Sequence, residues 1–249
     1  MKSLLKSLDI LEFVLNNEDK PVTPAVVAEA CGLNPVTCVR ILGELTKRDY
    51  LRKISRHDGY APGPVIYALA DRRSFYGCVA HAASEILKDL AIRFDLQLNI
   101  SVLHGTKRYI LYHYAAAREY PIARKTAHPD HFYIQGTGRI LLAHAEQAAV
   151  DRIIERIGLP GALWPEVRSR RDLALQLARI RKTGQTSFLT KEGEIPNRVF
   201  GAAVIVPGKP VCAIGTRINA NRDASGISEE LRNAALLIRD NILTQLQSF

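Results

Sequence analysis

Two stretches hold residues whose types and spacing could do chemistry, and the first would read nucleic acid. In helical register, Cys38, Ile41, Leu42 and Leu45 fall at i, i+3, i+4 and i+7 and make one apolar stripe. Val36, Thr37, Val39, Arg40 and Gly43 face the other way. Apart from the arginine they are short. A solvated helix face normally carries long charged side chains, so a small-featured face suits close approach to a large body such as the floor of a DNA major groove. Residues 51–60, LRKISRHDGY, then place Arg52, Lys53, Arg56 and His57 ahead of an Asp-Gly hairpin signal. That pattern is a basic β-wing, with Arg52, Lys53 and Arg56 expected on phosphate or in the minor groove and Thr37 on base edges. A helical hairpin in a small bundle is the structural alternative. A helix–turn–helix that grips protein rather than DNA is the functional one.

The second stretch is Gly136-Thr137-Gly138-Arg139, ahead of a helix expected to begin near Ile140. Free N–H groups at a helix start, beside a hydroxyl and without bulky side chains, suit a carboxylate; a plain glycine-rich turn is the alternative. His128, Asp130 and His131 read as solvated loop residues rather than metal ligands, and Trp164 as a packing anchor. Tyr112 and Tyr114 are expected on one face of their strand and Tyr109 on the other. A nucleophile elbow, a P-loop and an H-E-x-x-H pair are all absent, so neither an enzyme nor a bound cofactor or metal is expected. An enzyme built on the C-terminal sheet is the remaining rival.

These residues need elements to position them. Residues 2–16 read as a helix with Leu4, Leu8, Leu11 and Leu15 on one face. Thr23-Pro24 opens a second helix with Val26, Val27 and Ala30 as its apolar side, and Gly32 ends it. Asn34-Pro35 repeats the cap-then-proline signature and starts the third. The caps Thr23 and Asn34, with Pro35, belong to the candidate DNA-contacting set. After the wing, Pro62 and Pro64 mark an exit and Val65–Arg73 reads as helix. The join between domains is placed at residues 74–80, at the start of a helix with Val79, Ala83, Ile86, Leu87, Leu90 and Phe94 on one side. Strands are expected at 97–103, 108–114, 185–189, 199–206 and 211–219, helices at 140–149, 150–157 and 169–182, and a closing helix capped by Ser228. Residues 116–131 read as a loop over a site or interface. The expected class is α+β: a winged helix–turn–helix domain at 1–73 and a domain at 81–249 with a mostly antiparallel sheet.

Composition sets the outer limits. The chain has 249 residues, 47% hydrophobic and 24% charged, with a net charge of +9. Residues 1–73 hold eleven Lys/Arg against nine Asp/Glu, so most of the surplus lies beyond them. Local placement of charge, not bulk charge, marks the DNA-binding part. Without a long apolar run or signal-peptide pattern, a soluble cytoplasmic protein with no membrane partner is expected. The four cysteines lack C-x-x-C spacing and read as reduced, buried thiols.

The order of parts resembles the IclR family of bacterial transcriptional regulators. The resemblance rests on KSLDILEFV at 6–14, VAEACGLNPVTCVRILGELTKRDYL at 27–51, GTGRILLAHA at 136–145, IRKTGQ at 180–185 and VFGAAVIV at 199–206. It implies a winged-helix DNA reader joined by a helix to an effector-binding domain with a GAF/profilin-like sheet. It implies dimers, or dimers of dimers, on pseudo-palindromic double-stranded operators. The family's recognition positions fall on Pro35, Val36, Thr37, Val39 and Arg40. Its effector positions fall on Gly136, Thr137, Val199, Gly215 and Arg217. The family usually has a polar residue at Val36, so readout there is expected to be apolar, for example to a thymine methyl. A cysteine is common at Val199 and small hydroxyl residues at Gly215 and Arg217, so a different ligand is expected, a small carboxylated or aromatic metabolite with Arg217 as a bidentate partner.

Overall fold

The structure is a computed structural model and describes residues 2–17, 20–55, 58–69, 74–116, 132–192 and 195–247. The chain divides into two compact units, Met1–Asp71 and Arg72–Phe249. In the first, α1 (Lys2–Leu15), α2 (Pro24–Ala30) and α3 (Pro35–Lys47) precede a hairpin of β1 (Leu51–Ser55) and β2 (Gly59–Pro62), then α4 (Pro64–Leu69). Cap chemistry places the helix starts. The Val36 N–H donates to Asn34 Oδ1 at 2.9 Å, and the Val26 N–H to Thr23 Oγ1 at 3.5 Å. Gly32, at φ +61°, ends the helical run between α2 and α3. Ile10, Val14, Val27, Cys38, Leu42 and Leu51 form the core.

Two apolar faces differ from expectation. On α1 the buried residues are Ile10 and Val14, while Leu4, Leu5 and Leu8 are exposed. On α2, Val27 and Ala28 are buried, whereas Val26 and Ala30 face solvent. Both helices carry more apolar residues than one face holds, so the neighbours they meet, not their own pattern, select the buried side. Pro64 opens α4 instead of preceding it, because its fixed φ and missing N–H suit a first helical turn. The wing is pinned from behind: Val22 and Tyr60 exchange both backbone hydrogen bonds at 2.9 Å. Gly59, at φ +92°, makes this possible, since any Cβ there would run into the Val22 carbonyl.

The second unit starts with α5 (Phe75–Phe94), capped by Ser74 Oγ on the Gly77 N–H at 3.0 Å. Then come β3 (Gln97–His104), β4 (Lys107–Ala115), α6 (Gly136–His144), α7 (Gln147–Ile157), α8 (Arg170–Thr183), β5 (Gln185–Glu192), β6 (Ile195–Val204), β7 (Cys212–Asn219) and α9 (Ile227–Gln247). The sheet order is β4-β3-β7-β6-β5 and every pairing is antiparallel. One face is apolar and is covered by α5 and α9 through Leu87, Leu90, Leu98, Ile100, Phe200, Ile214 and Ile238. Helices α6 and α8 lie on the other. Ser228 does not cap α9; the helix begins one residue earlier, and Gly226 O accepts from the Glu230 N–H at 2.9 Å. Among the described residues, no single helix is long and apolar enough to cross a membrane.

One irregularity matters beyond its size. The β3–β4 register shifts between Ile100, opposite Tyr112, and Ser101, opposite Ile110. Leu111 is the extra residue of a β-bulge. Strict alternation would put Tyr109 opposite in sense to Tyr112 and Tyr114, yet all three pack on the apolar side. The bulge reverses parity for everything before it, and so it turns Arg108 to the other face, beside Ser101.

Candidate nucleic-acid interface and ligand site

Helix α3 buries Cys38, Ile41 and Leu42 and leaves its small-featured front open. Val36 is 78% exposed, Val39, Arg40 and Pro35 are exposed, and Thr37 is half-buried. Arg52 and Lys53 are exposed on β1, opposite Ala61 and Tyr60. Arg56 and His57 lie outside the described residues, as do His128, Asp130 and His131. Thr23 and Asn34 spend side-chain acceptors on the N-termini of α2 and α3. Each therefore holds a helix start in place.

In the second unit, register gathers the candidate effector residues. Val199 pairs with Arg217 and Gly201 with Gly215, so by strand alternation all four point to the face that α6 covers. Gly136 and Thr137 are the first turn of α6, which begins four residues before the expected Ile140. That early start depends on glycine: a Cβ on Gly136 would run into the Phe200 carbonyl, and one on Gly215 would sit 2.8 Å from Thr137 Cγ2. Gly136, Thr137, Val199 and Gly215 are buried and Arg217 is half-buried. Gln135, at the N-cap, provides no side-chain acceptor, so the first N–H groups of α6 depend on something else.

Arg139 does not serve this site. Its Nε donates to the Tyr133 carbonyl at 2.7 Å and an Nη to the Leu163 carbonyl at 3.3 Å. Its guanidinium lies 3.8 Å from the Trp164 ring centroid and 3.3 Å from that of Phe188. Burial pushes its pKa down to about 9, and Glu166 partly offsets this. Trp164 is thus a packing anchor that also holds a cation.

Arg108 is the residue that sequence reasoning misses. It is 5% exposed, and its Nη1 donates to Ser101 Oγ at 2.8 Å and Thr137 Oγ1 at 3.3 Å. Ser101 Oγ passes the network on to Asn99 Oδ1 at 2.9 Å. Burial pushes the Arg108 pKa down to about 10, which still leaves the group charged at neutral pH. Its Nε is buried without an acceptor, and no carboxylate pairs with it among the described residues. The clefts of about 330 Å³ beside α1 and α3 and about 290 Å³ between α5 and α9 lie elsewhere.

A winged-helix unit followed by an antiparallel five-stranded sheet between helical layers is the organisation of one class of bacterial transcriptional regulator. Residues 78–235 match the family described as bacterial transcriptional regulator IclR, C-terminal. The chain therefore belongs to the IclR family. Solved structures agree over nearly the full length. An IclR homolog from Microbacterium hydrocarbonoxydans, complexed with 4-hydroxybenzoate, is 18% identical with TM-score 0.76, covering 97% of this chain and 99% of that one. An IclR transcriptional regulator from Alicyclobacillus acidocaldarius is 16% identical at TM-score 0.70, covering 99% and 98%. The Thermotoga maritima IclR is 19% identical at TM-score 0.65, covering 99% of each chain. Comparison with curated protein sequences gives no match.

Proposed function

We propose that this regulator reads a pseudo-palindromic operator with α3, touches the DNA backbone with the β1–β2 wing, and answers to a small carboxylated or aromatic effector held by its sheet unit. The observation that carries the DNA reading is the open front of α3: a helix exposing Val36, Val39 and Arg40 around the half-buried Thr37, beside the exposed cations Arg52 and Lys53. The apolar Val36 and Val39 suit thymine methyls, and Arg40 suits a guanine edge. Two copies of α3 about one DNA turn apart would read an inverted repeat, and the exposed Leu4, Leu5 and Leu8 on α1 favour self-association.

The effector reading rests on Gly136, Thr137, Val199, Gly215 and Arg217 sharing one face, and on a structural relative that holds 4-hydroxybenzoate, an aromatic carboxylate. An effector would act by binding two arrangements of the dimer unequally. Exposed valines on α3 also suit a protein partner, which makes protein contact the second reading; the wing's cations favour DNA. Gel shift of the full chain with operator and random DNA tests the choice. Salt-dependent, sequence-dependent retardation is expected, and absence of retardation at micromolar protein and low salt would reject it.

A further inference from the structure

Among the described residues, the second unit holds two buried arginines, of which only one is satisfied. Arg139 has two carbonyl acceptors and two aromatic faces. Arg108 has two neutral hydroxyls, both on Nη1, while its Nε is buried without an acceptor. Among the described residues, the whole Nε–Nη2 edge of Arg108 carries no acceptor. That edge is the planar pair of donors that matches a carboxylate bidentately. The Thr137 hydroxyl touching Arg108 belongs to the uncapped first turn of α6, whose positive end adds to the same potential. A buried cation without a counter-charge is strongly unfavourable, so its retention calls for an anion that arrives from outside.

We infer that Arg108 is the anchor for the carboxylate of the effector, oriented by Ser101 and Thr137 and held against the start of α6. This rests on the effector-binding reading above and assigns the ligand class within it: a small organic monoanion with its carboxylate inward. Arg217, the cation the family positions point to, would lie at the rim. The β4 bulge is the device that builds the site, because without it Arg108 would face α5 and α9.

The test is thermal shift and calorimetry on the full chain with benzoate, 4-hydroxybenzoate and pyruvate, and with neutral benzamide and 4-hydroxybenzamide. At least one carboxylate should raise the melting temperature of the wild type, and its amide should not. Arg108→Met should lose that binding by more than about 100-fold, while its ligand-free melting temperature rises by about 5 °C because the unpaired charge is gone. Arg108→Lys, which keeps the charge but not the fork, should bind about tenfold more weakly, and it serves as the test should Arg108→Met fail to fold. Binding of no carboxylate by the wild type, or unchanged carboxylate affinity in either variant, would overturn the assignment. Should an amide bind the wild type and Arg108→Met equally and alter DNA affinity, the effector reading would stand and the Arg108 anchor would fall.

Discussion

The front of α3 and the α6-covered face of the sheet are prepared for different encounters. The first is open: its side chains are short, mostly apolar and exposed, and its charge sits at the edge, on Arg40 and the wing. Nothing in it is costly while unoccupied, because an exposed valine or arginine is solvated. The second is closed, with an arginine, a serine and a threonine buried together beside a helix start. Holding Arg108 there is costly, since it is desolvated and no carboxylate pairs with it among the described residues. On the proposed reading, a surface that meets a large rigid partner can wait in water, whereas a site that engulfs a small anion holds its charge in advance. The difference predicts that ligand binding stabilises the second unit far more than DNA binding stabilises the first.

The largest effect should come from filling the gap that lets α6 reach the sheet. Gly136→Val would drive a side chain into the Phe200 carbonyl and lift α6, at a cost of about 3 kcal/mol or more, read as a steep fall in melting temperature and loss of effector response. Next, Arg40→Ala should weaken operator binding by about 1–3 kcal/mol while leaving random DNA nearly untouched. Replacing Thr37 should change which base is preferred rather than overall affinity. Arg52→Ala should behave oppositely, weakening all sequences alike and lowering the slope of log affinity against log salt by about one. A change in Arg52 that altered sequence preference would blur the contrast between base reading and backbone gripping. Asn34→Ala should cost about 1 kcal/mol of stability, because Asn34 Oδ1 caps the N-terminus of α3.

The smallest effect is a pH dependence. The Arg108 pKa is pushed from 12.5 to about 10 in the folded chain. Between those values the unfolded chain binds more protons, so stability rises with pH as the penalty on the buried charge is relieved. The stability advantage of Arg108→Met over the ligand-free wild type should therefore be full below pH 10 and shrink above it. An advantage that stayed constant up to pH 12 would mean that burial does not lower the Arg108 pKa in the fold.

How much of this could be read from residues alone differs between the two regions for a physical reason. The helix–turn–helix and wing are local: Thr23-Pro24, Gly32, Asn34-Pro35 and the i, i+3, i+4, i+7 stripe of α3 are set by contacts a few residues apart, and each stands where the pattern puts it. Choosing a buried face was harder for α1 and α2, whose excess leucines and valines leave the choice to their neighbours. The sheet's polar face depends on register between strands about a hundred residues apart, such as Asn99 opposite Gly215. Arg108 was illegible for a further reason: alternation counted back from Tyr112 and Tyr114 gives the wrong side once Leu111 bulges. The early start of α6 was hidden as well, because Gly136 and Gly138 look like a turn until the close approach of Phe200 and Phe132 explains them.

The most direct test of the account is selection of the full chain on random double-stranded DNA, followed by sequencing of the bound fraction. The account predicts convergence on an inverted repeat whose half-sites lie roughly 10 base pairs apart, with the preferred bases changing when Thr37 or Arg40 is replaced. Failure to enrich any sequence, or enrichment of the same sequence by wild type and by both variants, would contradict it.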